Sequence, residues 1–241
     1  MKVLNDLLWD GQLKIFQDTD NFKFSIDSIL LSNFVTVNNK TKRILDIGTG
    51  NAPIPLMLTK RTNAVIDAIE IQKSSYDLAL ESVKYNKLDN QINVILNDIN
   101  IEYKNMCNNY YDTIVSNPPY YKMNMKKAFN KSKRLARSEE TLSLEDLFKI
   151  SKKILKDGGN IAIVNDTERL AEVIRLMKEN TIEPKKIQFI YPKENKNSKF
   201  FLIEGTKNGK PGIKVINPIF IQDETGEYTI YIKNILNNFG K

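Results

Sequence analysis

Continuous apolar runs alternate with amphipathic segments along the chain from about residue 43. The first five runs are apolar almost throughout, which is typical of strands that are buried on both faces of a parallel sheet. The segments between them repeat apolar residues at helical spacing. This alternation predicts an α/β fold with a mainly parallel, seven-stranded sheet and helices on both faces. The expected strands are RILDIG, AVIDAIE, INVILND, DTIVSN, NIAIVN, KKIQFIY and KFFLIEG.

Polar and glycine-rich segments mark the boundaries of the elements. The polar stretch from Pro192 to Lys199 separates the last two strands, which predicts an antiparallel C-terminal hairpin at the sheet edge. Asp157-Gly158-Gly159 is expected to form a turn before the fifth strand. Helices are expected at residues 54–60, 74–86, 144–155 and 167–179.

Residues 1–42 follow a different pattern. The stretch QLKIFQDTDNFKFS alternates between apolar and polar residues, and residues 26–35 are amphipathic at helical spacing. The first pattern predicts a short β-ribbon and the second a helix. We therefore expect an N-terminal extension packed on the core at residues 1–42. Residues 43–241 are expected to form one domain, with a basic loop at 121–138 and a C-terminal strand-and-turn tail.

The composition limits the kinds of protein and of chemistry. A chain of 241 residues fits one α/β domain, and no apolar run approaches the roughly 18 residues of a membrane span. Polar residues interrupt the N-terminal apolar positions, unlike the core of a signal peptide, so we expect a soluble, cytoplasmic protein without a membrane partner. With Cys107 as the single cysteine and no histidine, an internal disulfide, a His/Cys metal site and a histidine-based triad are excluded, and no metal is expected.

The chain is basic, with a formal net charge of +7 and a pI near 9.2. Lysines that neutralise phosphates gain free energy by releasing counterions, so this charge favours a polyanionic partner. A biased, lysine-rich composition explains the total charge equally well.

A glycine-rich turn follows the first strand of the sheet. Asp46, Gly48 and Gly50 lie at the carboxyl end of RILDIG, where open α/β sheets bind ligands. The third glycine of a dinucleotide-binding G-x-G-x-x-G motif is replaced by Pro53, which argues against a nicotinamide cofactor without excluding it. The D-x-G-x-G form resembles the first motif of class I S-adenosylmethionine-dependent methyltransferases. This resemblance implies that the turn holds the amino acid end of the cofactor and that Asp46 acts on its ammonium, directly or through water.

Acidic residues also end the second and third strands. Glu70 ends AVIDAIE, where a carboxylate can accept hydrogen bonds from both ribose hydroxyls of a cofactor. Asp98 and Ile99 follow the third strand, where Asp98 could accept from the adenine amino group and Ile99 could pack on its ring. Each acid alone could be a solvated residue at a strand end, but three successive strands with the same feature favour a binding site.

The fourth strand leads into Asn117-Pro118-Pro119-Tyr120. The prolines fix the backbone and lack N–H groups, so they predict a rigid segment whose carbonyls can accept hydrogen bonds. Asn117 and the Pro118 carbonyl can each accept one N–H of a planar amine, and Tyr120 offers a face for stacking. The four residues are therefore the candidate catalytic segment, and Asn117 also borders the cofactor. The motif resembles that of methyltransferases acting on adenine N6, cytosine N4, guanine N2 or a glutamine amide.

Across nearly its whole length the chain resembles the bacterial tRNA(Val) adenine-N6 methyltransferase family, which modifies the adenine adjacent to the anticodon. The resemblance implies a Rossmann-like methyltransferase domain, S-adenosylmethionine as cofactor and tRNA as partner. It further suggests that Ser25 and Asp27 close over the methionine moiety, although both also suit the N-cap of the helix near Ile26. The matching segments are IFQDTDNFKFSIDSILLSNF, ILDIGTGNAPIPLML, IDAIEIQ, SNPPYY, LARSEE, TERL, EPKKIQFIYPK, FFLIEGTKNGKPGIKV and GEYT.

Two departures from the family pattern are visible. Ala52 stands where the family usually has glycine, a small change that is expected to keep the turn. The segments LARSEE and NDTERL lack the histidines that the family often carries there. Any role that depends on an imidazole is therefore excluded at these positions.

Two basic clusters are candidate RNA contacts, in a protein that we expect to be a monomer. The first follows the Asn-Pro-Pro-Tyr segment directly and suits a phosphate-binding lid, although a solvated loop has the same composition. The second, a weaker candidate, is Lys185, Lys186, Lys193, Lys196 and Lys199. The residues of the first cluster are Lys122, Lys126, Lys127, Lys131, Lys133, Arg134 and Arg137.

The sequence favours adenine-N6 methylation of tRNA, and three alternatives stay open. One is another amine methyltransferase with the same motif, acting on guanine N2 of rRNA or on glutamine N5 of a release factor. The second is an NAD(P)-dependent oxidoreductase. The third is an RNA-binding or assembly protein without catalysis.

Overall fold

The computed structural model describes residues 1–18, 25–118 and 142–240. Within these ranges the chain forms a two-stranded ribbon, an eight-stranded sheet and helices on both faces of that sheet. The strands are β1 Lys2–Asp6, β2 Lys14–Asp18, β3 Arg43–Ile47, β4 Val65–Glu70, β5 Ile92–Leu96, β6 Tyr111–Ser116, β7 Leu155–Asp166, β8 Ile182–Tyr191, β9 Phe200–Lys207 and β10 Lys214–Phe220. The helices are α1 Ile26–Phe34, α2 Pro53–Leu58, α3 Lys73–Tyr85, α4 Ile99–Glu102, α5 Leu144–Ile154, α6 Leu170–Glu179 and α7 Ile230–Asn238, with a 3-10 turn at Thr167–Arg169 before α6.

The large sheet has the strand order β10-β8-β9-β7-β6-β3-β4-β5. The strands from β3 to β7 pair in parallel, as do β8 and β10, whereas β9 is antiparallel to both of its neighbours. This arrangement confirms the mainly parallel sheet and the antiparallel β8–β9 pair. The number of strands is eight rather than seven because β10 adds to the outer side of β8, so the hairpin does not form the edge of the sheet.

The added strand β10 is irregular. Its register against β8 shifts between Ile216 and Ile219, on either side of Pro218, and Val215 is exposed. Proline lacks the N–H that a ladder requires and is tolerated mainly at sheet edges. These two features explain why the sequence pattern predicts a strand-and-turn tail here and not an eighth strand of the sheet.

The Asp157-Gly158-Gly159 segment lies inside β7, so the prediction of a turn is wrong at this position. Tyr111 of β6 pairs with Leu155, whereas Thr113 pairs with Asn160, so β7 accommodates the extra residues as a bulge. A Cβ on Gly159 would lie 2.9 Å from the Asp112 carbonyl oxygen, a distance that leaves no room for a side chain.

The β1–β2 ribbon packs against α3. The Phe16 amide donates to Ser82 Oγ at 2.9 Å, and Asn86 Nδ2 donates to the Lys14 carbonyl at 2.7 Å. Within the described part of the expected ribbon stretch the chain forms β2, and its partner strand lies upstream at Lys2–Asp6. The helix predicted at 26–35 is present as α1.

Alternate residues along the strands enter two hydrophobic clusters, one on each face of the sheet. One cluster joins α1, α2 and α7 to residues such as Ile44 and Val115. The other joins α5 and α6 to residues such as Leu45 and Ile114. Among the described residues, every helix is too short or too polar to cross a lipid bilayer.

Candidate active site

Hydrogen bonds tie the carboxyl ends of neighbouring strands together. The Asn97 amide donates to the Glu70 carbonyl at 3.0 Å, and the Gly48 amide donates to the Ile69 carbonyl at 3.0 Å. Ser116 Oγ donates to the Ile47 carbonyl at 2.8 Å. The ends of β5, β4, β3 and β6 therefore form one continuous edge. This edge brings together the predicted residues Asp46, Gly48, Gly50, Glu70, Asp98, Ile99 and Asn117.

The glycine-rich turn repeatedly adopts the left-handed conformation. Gly48, Gly50 and Ala52 have φ values of 74°, 61° and 67°. No heavy atom lies within 4 Å of the position that a Cβ would take on either glycine, so this part of the turn presents bare backbone. The Asn51 side chain donates to the Phe16 carbonyl at 2.8 Å and fixes the turn against the ribbon.

Ala52 occupies the left-handed conformation without being glycine. This conformation costs an L-residue with a Cβ roughly 1 to 2 kcal/mol. Its side chain is completely buried in front of α2. The turn is kept despite the change from the usual glycine, but the backbone is strained at this residue.

Glu70 connects the end of β4 to the glycine-rich turn. Its Oε2 accepts from the Gly50 amide and its Oε1 from the Gln72 amide, both at 2.8 Å. Burial raises the pKa of this carboxyl, and the bonds from Gln72 and Gly50 partly offset that rise. A carboxylate can accept about four hydrogen bonds, so each oxygen retains capacity for a hydroxyl donor.

Asp46 is fully buried beside this pair. Burial raises its pKa to about 7, an interaction with the Thr49 side chain lowers it in part, and the charge of Glu70 raises it further. Within the described residues, neither carboxylate oxygen has a hydrogen-bond partner of normal geometry. A buried carboxyl without a strong partner is costly, and a bound cation would relieve that cost.

Asp98 begins the short helix α4. Its Oδ1 accepts from the Asn100 amide at 2.8 Å, so the side chain caps the helix. The following Ile99 is buried. Asp98 is thus the N-cap of α4 as well as the residue at the end of β5, a role that the sequence analysis did not include.

Asn117 leaves the end of β6 and contacts α1. Its Nδ2 lies 3.2 Å from Ser28 Oγ, and Ser28 is buried. The sequence analysis did not identify Ser28, because its partner is 89 residues away. Pro118 is buried, whereas the predicted residues Pro119 and Tyr120 lie outside the described residues.

Ser25 and Asp27 lie at the start of α1. Ser25 occupies the N-cap position, but its hydroxyl donates to Asp27 Oδ2 at 2.9 Å and makes no capping bond. Asp27 is buried. The expectation that Ser25 caps the helix with its side chain is therefore wrong.

Only the second of the two predicted basic clusters lies within the described residues. The residues from Lys122 to Arg137 lie outside the described residues. Lys186 is not available to RNA, because its Nζ donates to the Phe34 carbonyl at 2.5 Å and to Thr36 Oγ1 at 2.8 Å and lies 3.5 Å from Glu204. Its assignment to an RNA groove is wrong.

The described edge fits a ligand with a cationic amine and neighbouring hydroxyls. The buried carboxyl of Asp46 suits the amine, and the bare backbone at Gly48 and Gly50 allows close approach. The two oxygens of Glu70 suit a pair of vicinal hydroxyls. These are the groups at the amino acid end and the ribose of S-adenosylmethionine.

A family model described as the methyltransferase small domain matches residues 25–187 of the chain. The tRNA1(Val) (adenine(37)-N6)-methyltransferase of Parabacteroides distasonis is 35% identical to it over 190 residues, which cover 79% of each protein. The chain belongs to the methyltransferase small domain family. S-adenosylmethionine is the methyl donor of this family, in agreement with the groups that the edge can hold.

Solved structures confirm the methyltransferase fold. A predicted O-methyltransferase from Agrobacterium tumefaciens has a TM-score of 0.70 at 17% identity and covers 89% of this chain and 96% of its own. TrmK of M. capricolum, solved with S-adenosyl-homocysteine, has a TM-score of 0.55 at 19% identity and covers 79% of this chain and 72% of its own. Both are similar to this methyltransferase in fold.

Proposed function

We propose that the chain transfers the methyl group of S-adenosylmethionine to the N6 amine of an adenine in the anticodon loop of a tRNA. The observation that carries the reaction type is Asn117, which leaves β6 on the same edge as the buried carboxyls of Asp46 and Glu70. The relatives named for adenine 37 of tRNA1(Val) support the nucleotide and the tRNA.

The cofactor is proposed to lie along the carboxyl ends of β3, β4 and β5. Asp46 would receive the ammonium, the glycine-rich turn the amino acid backbone, and Glu70 the ribose hydroxyls. Asp98 and Ile99 would contact the adenine of the cofactor. The full set of proposed contacts is Ser25, Asp27, Asp46, Gly48, Gly50, Glu70, Asp98, Ile99 and Asn117.

The substrate amine is proposed to bind at Asn117 and Pro118. The Asn117 side-chain oxygen and the Pro118 carbonyl would each accept one N–H, which orients the nitrogen lone pair toward the methyl group. Tyr120 would stack on the base, and Pro119 would keep the segment rigid. When bound, S-adenosylmethionine supplies a methyl group on a positively charged sulfur. The amine proton can leave after transfer, so the chain needs no strong base, in agreement with the lack of histidine.

The target adenine must leave its stack to reach Asn117. This costs less in a single-stranded loop than in a duplex, which favours an anticodon loop as substrate. We propose that a basic cluster after the Asn-Pro-Pro-Tyr segment contacts the phosphates. Its members are Lys122, Lys126, Lys127, Lys131, Lys133, Arg134 and Arg137.

The proposal is tested by methyl transfer from labelled S-adenosylmethionine to unmodified tRNA, followed by nucleoside digestion and mass analysis. We expect N6-methyladenosine as the product. Asn117→Ala should abolish turnover with little loss of tRNA affinity, because it removes an acceptor from the amine site rather than a phosphate contact. Asn93→Ala is the matched control, since Asn93 is an exposed residue of β5 whose side chain bonds to Asp67.

Parallel reactions with rRNA and with a release factor separate the remaining amine substrates. Label in guanine N2 or in a glutamine amide, and none in tRNA, would overturn the tRNA assignment and keep the methyltransferase. Unchanged turnover in Asn117→Ala would overturn the proposed site.

A further inference from the structure

We propose that Ser28 is a positioning residue that holds the side-chain amide of Asn117 in place for the substrate amine. The proposal rests on the proposed function, because it concerns the same Asn117. It adds a residue from the N-terminal part of the chain to a site built on the ends of the strands.

The contact between Ser28 and Asn117 is direct. Ser28 Oγ lies 3.2 Å from Asn117 Nδ2, and Ser28 is only 4% exposed. The other serines of this region make different bonds. Ser25 donates to Asp27, and Ser32 donates to the Ser28 carbonyl at 2.7 Å within the helix. Ser28 is therefore the serine of this helix whose hydroxyl meets the end of β6.

Contacts at the C-terminal end of α1 hold the helix, and with it Ser28, in place. Arg61 donates to the carbonyls of Ser32 and Val35, the latter at 3.0 Å. Lys186 donates to the Phe34 carbonyl at 2.5 Å. These cations satisfy carbonyls that a helix end leaves without a partner and complement its partial negative charge. Helix α1 therefore cannot slide along the sheet without breaking these partly buried polar contacts.

The orientation of the Asn117 amide determines what the substrate amine meets. The amide carries two N–H donors on one side and an acceptor oxygen on the other. With Nδ2 bonded to Ser28, the oxygen is the group that can accept from the substrate amine. Because a serine hydroxyl can donate as well as accept, the contact restrains rotation of the Asn117 side chain in either amide orientation. Ser28 thus holds the amide beside the substrate amine.

The test compares Ser28→Ala with Ser32→Ala. Both variants remove one buried hydroxyl from the same helix, but only Ser28 contacts Asn117. We expect Ser28→Ala to lower kcat at least tenfold, which corresponds to about 1.4 kcal/mol of activation free energy. The affinities for S-adenosylhomocysteine and for tRNA should change less than twofold. Ser32→Ala should leave kcat within twofold of the unmodified protein, and Ser28→Thr, which keeps the hydroxyl, should restore part of the loss.

The outcomes distinguish the two proposals. If the unmodified protein forms no N6-methyladenosine, the proposed function fails and the role of Ser28 fails with it. If the unmodified protein is active and Ser28→Ala retains the kcat of Ser32→Ala, the proposed function stands and the inference is overturned. A loss of kcat in Ser28→Ala that is matched by equal losses in cofactor affinity and Tm would also overturn it, because it would indicate a purely structural role.

Discussion

The backbone amide of Gly50 donates a hydrogen bond of 2.8 Å to Glu70 Oε2, so the carboxyl at the end of β4 also holds the glycine-rich turn at the end of β3. A residue that the sequence suggests as a ribose ligand therefore has a second role before any ligand binds. Substitution of Glu70 should alter both the turn and the proposed binding site.

We expect Glu70→Ala to weaken S-adenosylhomocysteine binding by about 10- to 100-fold, because hydrogen bonds to a charged group contribute roughly 1.5 to 3 kcal/mol. Glu70→Gln should have a smaller effect, since its one oxygen can still accept from Gly50. Calorimetric titration measures both affinities. Glu81→Gln is the control, because Glu81 pairs with Lys2 on the surface of α3. Equal affinities in Glu70→Ala and the unmodified protein would refute the assignment.

The buried carboxyl of Asp46 should make stability depend on pH. Its pKa is raised to about 7 by burial, from an ordinary value of 3.8. Between these values the folded state binds more protons than the unfolded state, so stability falls as pH rises through this window. Asp46→Asn removes the titration. The unmodified protein should lose stability between pH 5 and pH 8, whereas Asp46→Asn should not lose it through this group. We therefore expect the free energy of unfolding of Asp46→Asn minus that of the unmodified protein to be about 2 kcal/mol larger at pH 8 than at pH 5.

Urea unfolding at the two pH values measures this difference, with Asp89→Asn on the surface as the control. A difference that does not change with pH would contradict the prediction.

The ionisation of Asp46 should also affect the binding of the cofactor product. If Asp46 receives the cofactor ammonium, S-adenosylhomocysteine should bind more tightly at pH 8 than at pH 6 in the unmodified protein but not in Asp46→Asn.

The left-handed conformation of Ala52 predicts an unusual response to glycine. Replacing a buried alanine by glycine normally destabilises a protein, because a methyl group is lost and the unfolded chain gains freedom. At Ala52 the relief of backbone strain should offset this loss. We expect Ala52→Gly to be less destabilising than Ala64→Gly by about 1 kcal/mol, as measured by urea unfolding. Ala64 is a suitable control, because it is also buried outside the helices but does not have a positive φ.

Glu204 is a buried acid within β9, and its removal should be costly. Its Oε2 accepts from the Thr36 amide at 2.6 Å and from Asn160 Nδ2 at 3.1 Å, and its Oε1 lies 3.5 Å from Lys186 Nζ. Burial already lowers the pKa of Lys186, and the charge of Glu204 counteracts this. We expect Glu204→Ala to lower the free energy of unfolding by about 3 kcal/mol, the lower end of the range for a buried ion pair, because it leaves a partly buried cation without its carboxylate.

The Lys186→Met/Glu204→Leu double variant should be less destabilised than Glu204→Ala, since neither charge remains. Glu227→Ala is the control, because Glu227 is exposed and lies 3.8 Å from Lys233. A double variant that is destabilised at least as much as Glu204→Ala would contradict this account of the cluster.

The sequence predicted the positions of the strand ends better than the contacts between distant segments. Parallel strands bring their carboxyl ends to one edge of the sheet, whatever the packing of the helices around them. The residues at or near these ends are Asp46, Glu70, Asp98 and Asn117. The contact between Ser28 and Asn117 depends on how α1 packs across the sheet, which no local pattern encodes.

The sequence pattern also does not indicate an unusual backbone conformation or an ion pair between neighbouring strands. Nothing near Ala52 indicates a positive φ except the glycine that the resemblance places there. Lys186 looks like a surface lysine in sequence, because its partner Glu204 lies on the neighbouring strand β9. The strand-and-turn tail was not counted as part of the sheet, because Pro218 and the exposed residues of β10 do not match the period of a buried strand.

The irregularity of strand β10 also has a consequence for association between copies of the protein. It forms one outer edge of the large sheet, where a regular strand would present a row of N–H and C=O groups to another chain. Pro218 contributes no N–H, and the shift between Ile216 and Ile219 interrupts the row. We expect this edge to resist strand-to-strand addition, so that the protein can remain dispersed at high concentration despite the exposed side chain of Val215.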